Sequence, residues 1–329
     1  GNERPPYSVW PRGKIQAAEA AVTGAAPRWG VVATAKAEAD EILQFAAFHL
    51  DAGATRVHVF LDEPAPEAFA ALKAHPNCRV TECDDAYWHK RGGRRPVKHQ
   101  VRQTRNATFG YNRSKGLDWG VHIDIDEFLV SDHTVATALS ELPAECLTAR
   151  VRPMEALTLS GDRGTPCAFK AFIPNGPERR AISQRLYSNF GTYVRGGFLS
   201  HVAGKVFART GQAQMHFKIH NAVVAGVENP RFADLAEVSL AHCHASNWAE
   251  WRVKHAFRHE KGSYRADLSP AVPFHQGGTT LHALFESLIA TEGDAGLRRF
   301  FDEVCADSQD HRDRLEGQGL LRLHDLDLA

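Results

Sequence analysis

Two aspartates one residue apart, Asp124 and Asp126, lie in the segment HIDIDEFL, residues 122–129. Alternate side chains of extended backbone share a face, so this spacing predicts two carboxylates converging just past a buried strand. Like charges held that close repel unless a cation lies between them. A hard divalent ion, Mn2+ or Mg2+, supplies that charge and shares it with phosphate oxygens. An arbitrary acid pair of this kind is more often a solvated turn or a helix cap. Here the acids follow a strand-like run and precede the apolar Phe128, Leu129 and Val130. That setting favours the metal reading for Asp124 and Asp126. The segment lacks the central glycine and third acid of an EF-hand, which excludes that calcium loop.

His242 and His244 also alternate. In a strand both imidazoles face one way and can share a metal; the alternative is one core histidine and one exposed one. The stretch HKRGGRRPVKHQVRQTR, residues 89–105, is strongly basic. Lys98, Arg102 and Arg105 fall three to four apart and so share a helical face. Guanidinium groups there can make paired contacts to a diphosphate, or the face can simply be solvated. Lys254 and Arg258 share a face of a later helix, where Glu250 can pair with Lys254 at i,i+4. Trp248 and Trp251 are better read as packing that helix than as a sugar platform.

These residues need elements to hold them. WGVVAT (29–34), RVHVFL (56–61), residues 78–82 and residues 119–124 read as strands, with helices over 38–50, 67–75 and from the basic stretch to about Lys115. Strands alternating with helices predict right-handed crossovers and a parallel sheet covered on both faces. Such sheets bind ligands beyond the carboxyl ends of their strands. Residues 134–142 read as helix and 146–151 as strand. After residue 152 the alternation fades into glycine- and proline-rich sequence with short strand-like pieces, such as 205–209 and 216–224. Helices return at 247–261, where Asn247 is the N-cap and Glu250 completes a capping box, and at 281–290 and 296–306. The expected organisation is a peripheral arm over 1–28 with a short helix near 15–21, an α/β half over 29–152, a mixed-strand half over 153–264, and helices over 265–329.

Composition narrows the field. The 329 residues carry 39 Lys+Arg and 39 Asp+Glu, a zero balance that argues against a nucleic-acid binder. The six cysteines are scattered and form no CxxC pair, so they read as reduced thiols of a cytoplasmic protein. No run of eighteen apolar residues predicts a transmembrane segment. Nor is there a signal-peptide pattern at the start of the chain. Eighteen histidines agree with metal or phosphate chemistry.

The chain resembles glycosyltransferases of the GT-A type, near family 2 and its family-92-like relatives. Four blocks carry the resemblance: ATAKAEADEILQFAAFHLDAGATRVHVFLDE (33–63), LDWGVHIDIDEFL (117–129), HVAGKVFAR (201–209) and LAHCHASNWAEWRVKHAFRHEKGSY (240–264). It implies a GT-A-like α/β fold, with a mostly parallel sheet flanked by helices, a smaller mixed-strand acceptor half and C-terminal helices. It also implies a nucleotide-sugar donor, usually UDP-linked. Residue by residue, it puts Thr34, Lys36, Glu38 and Asp62 near the base and ribose. Asp124 falls at the ribose or metal, Asp126 on the metal, Glu127 beside them, and His242 on the metal or diphosphate. His244 and Ala37 depart from the usual pattern, and residues 150–238 match weakly.

The reading is a metal-dependent transfer of a sugar to a glycan or lipid-linked acceptor, inverting, with Mn2+ or Mg2+ at the diphosphate. An inverting reaction needs a carboxylate to take the acceptor proton, for which Glu155, Asp162 and Glu127 are candidates. By family habit the setting is cytoplasmic and bacterial, with or without membrane association, in polysaccharide biosynthesis. A nucleotidyltransferase is disfavoured because residues 30–41 hold only Gly30 where a phosphate loop needs several glycines. Two rival functions stand beside it. One is a non-catalytic nucleotide- or carbohydrate-binding module. The other is a metallohydrolase using His122 with the acids and the HxH pair.

Overall fold

The computed structural model describes residues 25–158, 166–262 and 264–326. The expected N-terminal helix near 15–21 and the candidate Asp162 lie outside the described residues. From Trp29 the chain runs β1 (Trp29–Ala35), α1 (Ala39–Asp51), β2 (Arg56–Leu61), α2 (Pro66–Ala74), β3 (Cys78–Glu82), α3 (Asp85–His89), α4 (His99–Asn112) and β4 (Trp119–His122). The strands stand in the order β4-β1-β2-β3, all parallel. Every residue of β1 is buried, as expected for a strand covered on both faces. Helix α4 comes close to β1 at Gly110, where an added Cβ would meet both Val32 methyls at 3.0 Å.

The second half begins with β5 (Glu127–Ser131), α5 (Val135–Ser140), β6 (Thr148–Ala156), β7 (Cys167–Ala171), α6 (Arg179–Leu186) and β8 (Lys205–Arg209). Next come β9 (Met215–Phe217), β10 (Ala222–Val224), β11 (Val227–Glu228) and the long β12 (Phe232–His242). The last elements are α7 (Trp248–Lys261), α8 (Leu281–Glu292), α9 (Asp294–Val304), α10 (Gln309–Gly317) and β13 (Leu321–His324). The sheet continues past β4 through β8, β6, β7 and β13, each antiparallel to the one before it. β12 lies between β5 and β6, antiparallel to the first and parallel to the second. β9, β10 and β11 form a separate small sheet. The mixed α/β class, with helices flanking the sheet, is the one expected.

Among the described residues, the two larger of four hydrophobic clusters hold this together. The first joins β1, β2, β4 and α1 to β5, β6 and β12. The second packs Trp251 of α7 against Phe285, Phe300 and Phe301 of α8 and α9. Trp248 stacks on Trp251 at 5.4 Å, so both tryptophans serve packing. The six cysteines are free, four of them buried. No helix among the described residues is long and apolar enough to cross a membrane.

One expectation about local structure is corrected. β4 stops at His122, and Asp124 to Asp126 belong to the bend between β4 and β5 rather than to a strand. β12 likewise stops at His242 and leaves His244 beyond it. The alternation rule therefore governs neither pair, and each acid and each imidazole has its own surroundings.

Candidate active site

The register of three strands builds the centre of the site. His242 is opposite Glu127 on one side and Glu155 on the other, and Glu155 is in turn opposite Lys170. Cross-strand partners share a face, so Glu127, His242, Glu155 and Lys170 form a row of charged and polar side chains across β5, β12, β6 and β7. All four are buried. The row ends at the bend that carries Asp124 and Asp126, which Cys243 fastens by donating its N–H to the Asp126 carbonyl at 2.8 Å.

Asp126 faces His242, with 3.5 Å between Oδ2 and Nε2. Burial alone would raise its pKa, but the charge and hydrogen bond of His242 outweigh that and hold it at about 2. For His242 burial works downward, and Asp126 overcomes it to lift the imidazole above its ordinary value. Asp124 has other partners. Its Oδ1 accepts from Gln103 Nε2 at 2.5 Å and its Oδ2 from Lys205 Nζ at 2.7 Å. Lys205 is wholly buried and also stands 3.3 Å from Glu127 Oε2. Glu127 accepts the Asp124 backbone N–H at 2.7 Å, and its other oxygen lies 3.4 Å from His201 Nε2.

Asp124, Glu127 and His201 bring ligand atoms within 4.8 Å of one another. The Lys205 ammonium already serves as the cation of that group. Asp126 and His242, 3.5 Å apart, would offer one carboxylate oxygen and one imidazole nitrogen to a divalent ion. The surroundings suit one: His242 Nδ1 and both nitrogens of His201 and of His244 are buried without hydrogen-bond partners. Carboxylate oxygen and imidazole nitrogen also match Mn2+ in hardness. His244 stands one ring beyond His242, at 5.9 Å. Burial pushes it down to about 3, and its nearest charges are Glu155, Arg258, His242 and Lys170 rather than the two aspartates.

The structure separates the other expected residues. Glu155 is saturated: Leu199 N–H, Ser200 N–H and Ser200 Oγ donate to it, and Lys170 Nζ lies at 3.0 Å. Burial would raise its pKa, yet Lys170 and these donors hold it well below the carboxylate range. Asp62, at the end of β2, accepts Arg102 through both its oxygens at 2.7–3.0 Å, and Arg95 stands 3.0 Å away. Arg102 is thus bound to the protein itself. Lys98, just before α4, and Arg105 on it are exposed. Thr34 is buried at the rim and accepts from Asn106 Nδ2 at 3.2 Å. Lys36 pairs with Glu63 in solvent, and Glu38 caps α1. Lys254 pairs with Glu250 at 2.5 Å and donates to the His244 carbonyl.

Four residues of this centre were not singled out from the sequence: Gln103, Lys170, His201 and Lys205. Gln103 lies within the basic stretch, one residue after Arg102, where charge spacing drew the attention. His201 and Lys205 were in plain view in HVAGKVFAR, and a histidine followed by a glycine-lysine pair was the available signal. Nothing local marked Lys170.

No protein-family model matches the chain, and no curated protein sequence does. Among solved structures it is similar to glucosyl-3-phosphoglycerate synthase from Mycobacterium tuberculosis in two complexes. The one with Mn2+, UDP-glucose and phosphoglyceric acid is 15% identical with a TM-score of 0.30. The one with phosphoglyceric acid is 14% identical with a TM-score of 0.29. Each match covers 66% of this chain and 72% of the other. Superposition at that level leaves the assignment of function to this chain's own residues.

Proposed function

We propose that this protein is a metal-dependent glycosyltransferase of the GT-A type. It moves a sugar from a UDP-linked donor to a glycan or lipid-linked acceptor, with inversion. The observation that carries the reading is the bend after β4, at the carboxyl rim of the parallel strands, where Asp126 meets His242. Ligands of open parallel sheets bind at that rim. Asp126 and His242 would hold Mn2+ or Mg2+, which supplies charge neutralisation for the departing diphosphate. Asp124 is fixed by Gln103 and Lys205 beside them, positioned for the ribose. Thr34 and the Asp62–Arg102 pair, near the ends of β1 and β2, would bound the donor site, with Lys254 held to the His244 carbonyl on the side of α7.

Glu155 and Glu127 serve as structural carboxylates in this reading, because each is buried and already ion-paired. A proton acceptor must be reachable. His201 does not meet that need either: Glu127 lies 3.4 Å from its Nε2, and both ring nitrogens are buried although the side chain is 27% exposed. Gly30 lies inside β1, so no glycine-rich phosphate loop follows that strand, and a nucleotidyltransferase gains no support.

A UDP-release screen over nucleotide-sugars, run with Mn2+ and with chelator, tests the proposal. Turnover of at least one donor with Mn2+ and none with chelator is expected. Asp126→Asn should lower that turnover by about a thousandfold, the several kcal/mol that a catalytic metal supplies. If no donor is turned over or hydrolysed while UDP and Mn2+ still bind, the protein is a binding module. Absence of UDP binding would favour a metallohydrolase.

A further inference from the structure

A cleft of about 500 Å³ opens at the amino ends of β1, β2 and β3, below the end of α4. It lies on the sheet face that α4 covers further up, and roughly 16 Å along β1 from the rim that carries the aspartates. Four arginines line it: Arg56 from the start of β2, Arg79 from β3, Arg91 after α3 and Arg113 after α4. Among the described residues no aspartate or glutamate lines this cleft, and none forms an ion pair with any of the four.

The guanidinium groups are held in place without being neutralised. Arg56 Nη1 donates to the carbonyls of Arg113 and Lys115 at 3.4 and 3.5 Å, and Arg79 Nη1 to those of Pro76 and Cys78 at 3.0 and 2.6 Å. Arg91 and Arg113 both lie over the Phe109 ring, at 3.0 and 3.4 Å from its centroid. Each guanidinium has five N–H donors, so most remain available. His58 lies at the back of the cleft, 8% exposed. It is pushed down to about 3 first by burial and then by the charges of all four arginines, which shows that they converge on one region. Four like charges gathered around a cavity repel one another, and a multiply charged anion removes that repulsion while making paired hydrogen bonds.

We propose that this cleft is a second ligand site, separate from the donor site, that takes the phosphate or pyrophosphate group of an organic ligand. The volume exceeds a bare phosphate and falls in the range of small-molecule sites. Val32, Phe109 and Leu117 give it an apolar wall for a carbon skeleton.

Titration calorimetry of the full chain with sodium pyrophosphate, in chelator so that no metal can recruit it to the rim, tests the proposal. One site is expected in the wild type. The double variant Arg79→Ser/Arg113→Ser, at two exposed positions, should bind at least about tenfold more weakly, in keeping with the strength of charged hydrogen bonds. Its unchanged thermal midpoint confirms that it is folded. Asp126→Asn should bind pyrophosphate like the wild type. No binding to the wild type, undiminished binding to the double variant, or loss in Asp126→Asn would each overturn the inference. A second arm separates the sources of the phosphate. Cosedimentation with phosphatidylcholine–phosphatidic acid vesicles that pyrophosphate abolishes identifies a lipid headgroup. A positive titration without sedimentation identifies a soluble organic phosphate.

Discussion

Lys205 is wholly out of solvent, between Asp124 at 2.7 Å and Glu127 at 3.3 Å. Removing one partner of a buried ion pair leaves the other charge uncompensated, a loss of about 3–5 kcal/mol. Lys205→Met should therefore destabilise the metal-free protein by that amount in urea unfolding. It should also open a second cation position among Asp124, Glu127 and His201. Mn2+ is then expected to raise the thermal midpoint of the variant more than that of the wild type; equal shifts would contradict the role given to Lys205. Glu155 and Lys170 pose the same question away from the rim. Glu155→Gln keeps an acceptor for Ser200 but strands the Lys170 ammonium, and about 3–5 kcal/mol of stability should go with it. Adding Lys170→Met should restore most of that stability, because a neutral pair has no charge to strand. A carboxylate acting as the base would instead show normal stability and lost turnover in Glu155→Gln.

Between elements, the turn before β8 shows how the backbone sets the site. Gly204 has φ of +68° and its carbonyl accepts from His220 Nδ1 at 3.0 Å. An added Cβ would overlap the Val151 carbonyl oxygen of β6. Left-handed backbone is unfavourable for a residue with a Cβ, and the overlap forces β8 away from β6. Gly204→Ala should lower unfolding stability by about 3 kcal/mol or more and displace Lys205, which urea denaturation will register. The same comparison shows what the sequence could convey. β1 and β2 were legible almost to the residue, because strands buried on both faces are continuous apolar runs; β3, an edge strand of CRVTE with exposed Arg79 and Glu82, was found from its neighbours' spacing. The N-cap of α7 was legible because Asn247 accepts the Glu250 N–H within one turn; Glu250 in turn accepts from Ser246 and not from the Asn247 N–H that the expected capping box requires. β12 was not, because its pattern is broken by an irregular register between Asp234 and Ser239. Its pairings reach back more than eighty residues to β6 and over a hundred to β5. The row from Glu127 to Lys170 depends on those pairings, and so it was invisible before the strands were in order.

Over the whole molecule, acid and base balance at 39 each, so the response to pH comes from the groups that folding perturbs. Burial lowers His49, His58, His122, His220, His244, His255 and His311, and three of them illustrate the behaviour. Burial holds His49 at about 4, His122 at about 4 with help from Lys205, and His244 at about 3. His49 shows why: its Nε2 accepts the Leu129 N–H at 3.4 Å and its Nδ1 is bonded to the Phe45 carbonyl, so neither nitrogen has room for a second proton. The unfolded chain takes these protons near pH 6.5, and the folded chain does so only near 3 to 4. Their contribution is fully present above pH 6.5 and is lost as pH falls toward the folded values. Each adds about 1.4 kcal/mol per pH unit in that window, or roughly 4 kcal/mol per unit for the three. Glu155, depressed by Lys170, adds a further loss of the same sign below its ordinary carboxylate range. His242 opposes them: its raised pKa gives stability that is present below pH 6.5 and disappears as pH rises through its folded value. That opposition acts only above pH 6.5, so on the acid side the depressed imidazoles dominate. Urea unfolding at pH 7.5, 6.0 and 5.0 should show stability falling steeply across the last interval, with at least about two to three protons taken up per molecule unfolded. A flat profile over that range would mean that these imidazoles are charged in the folded protein, contrary to their burial.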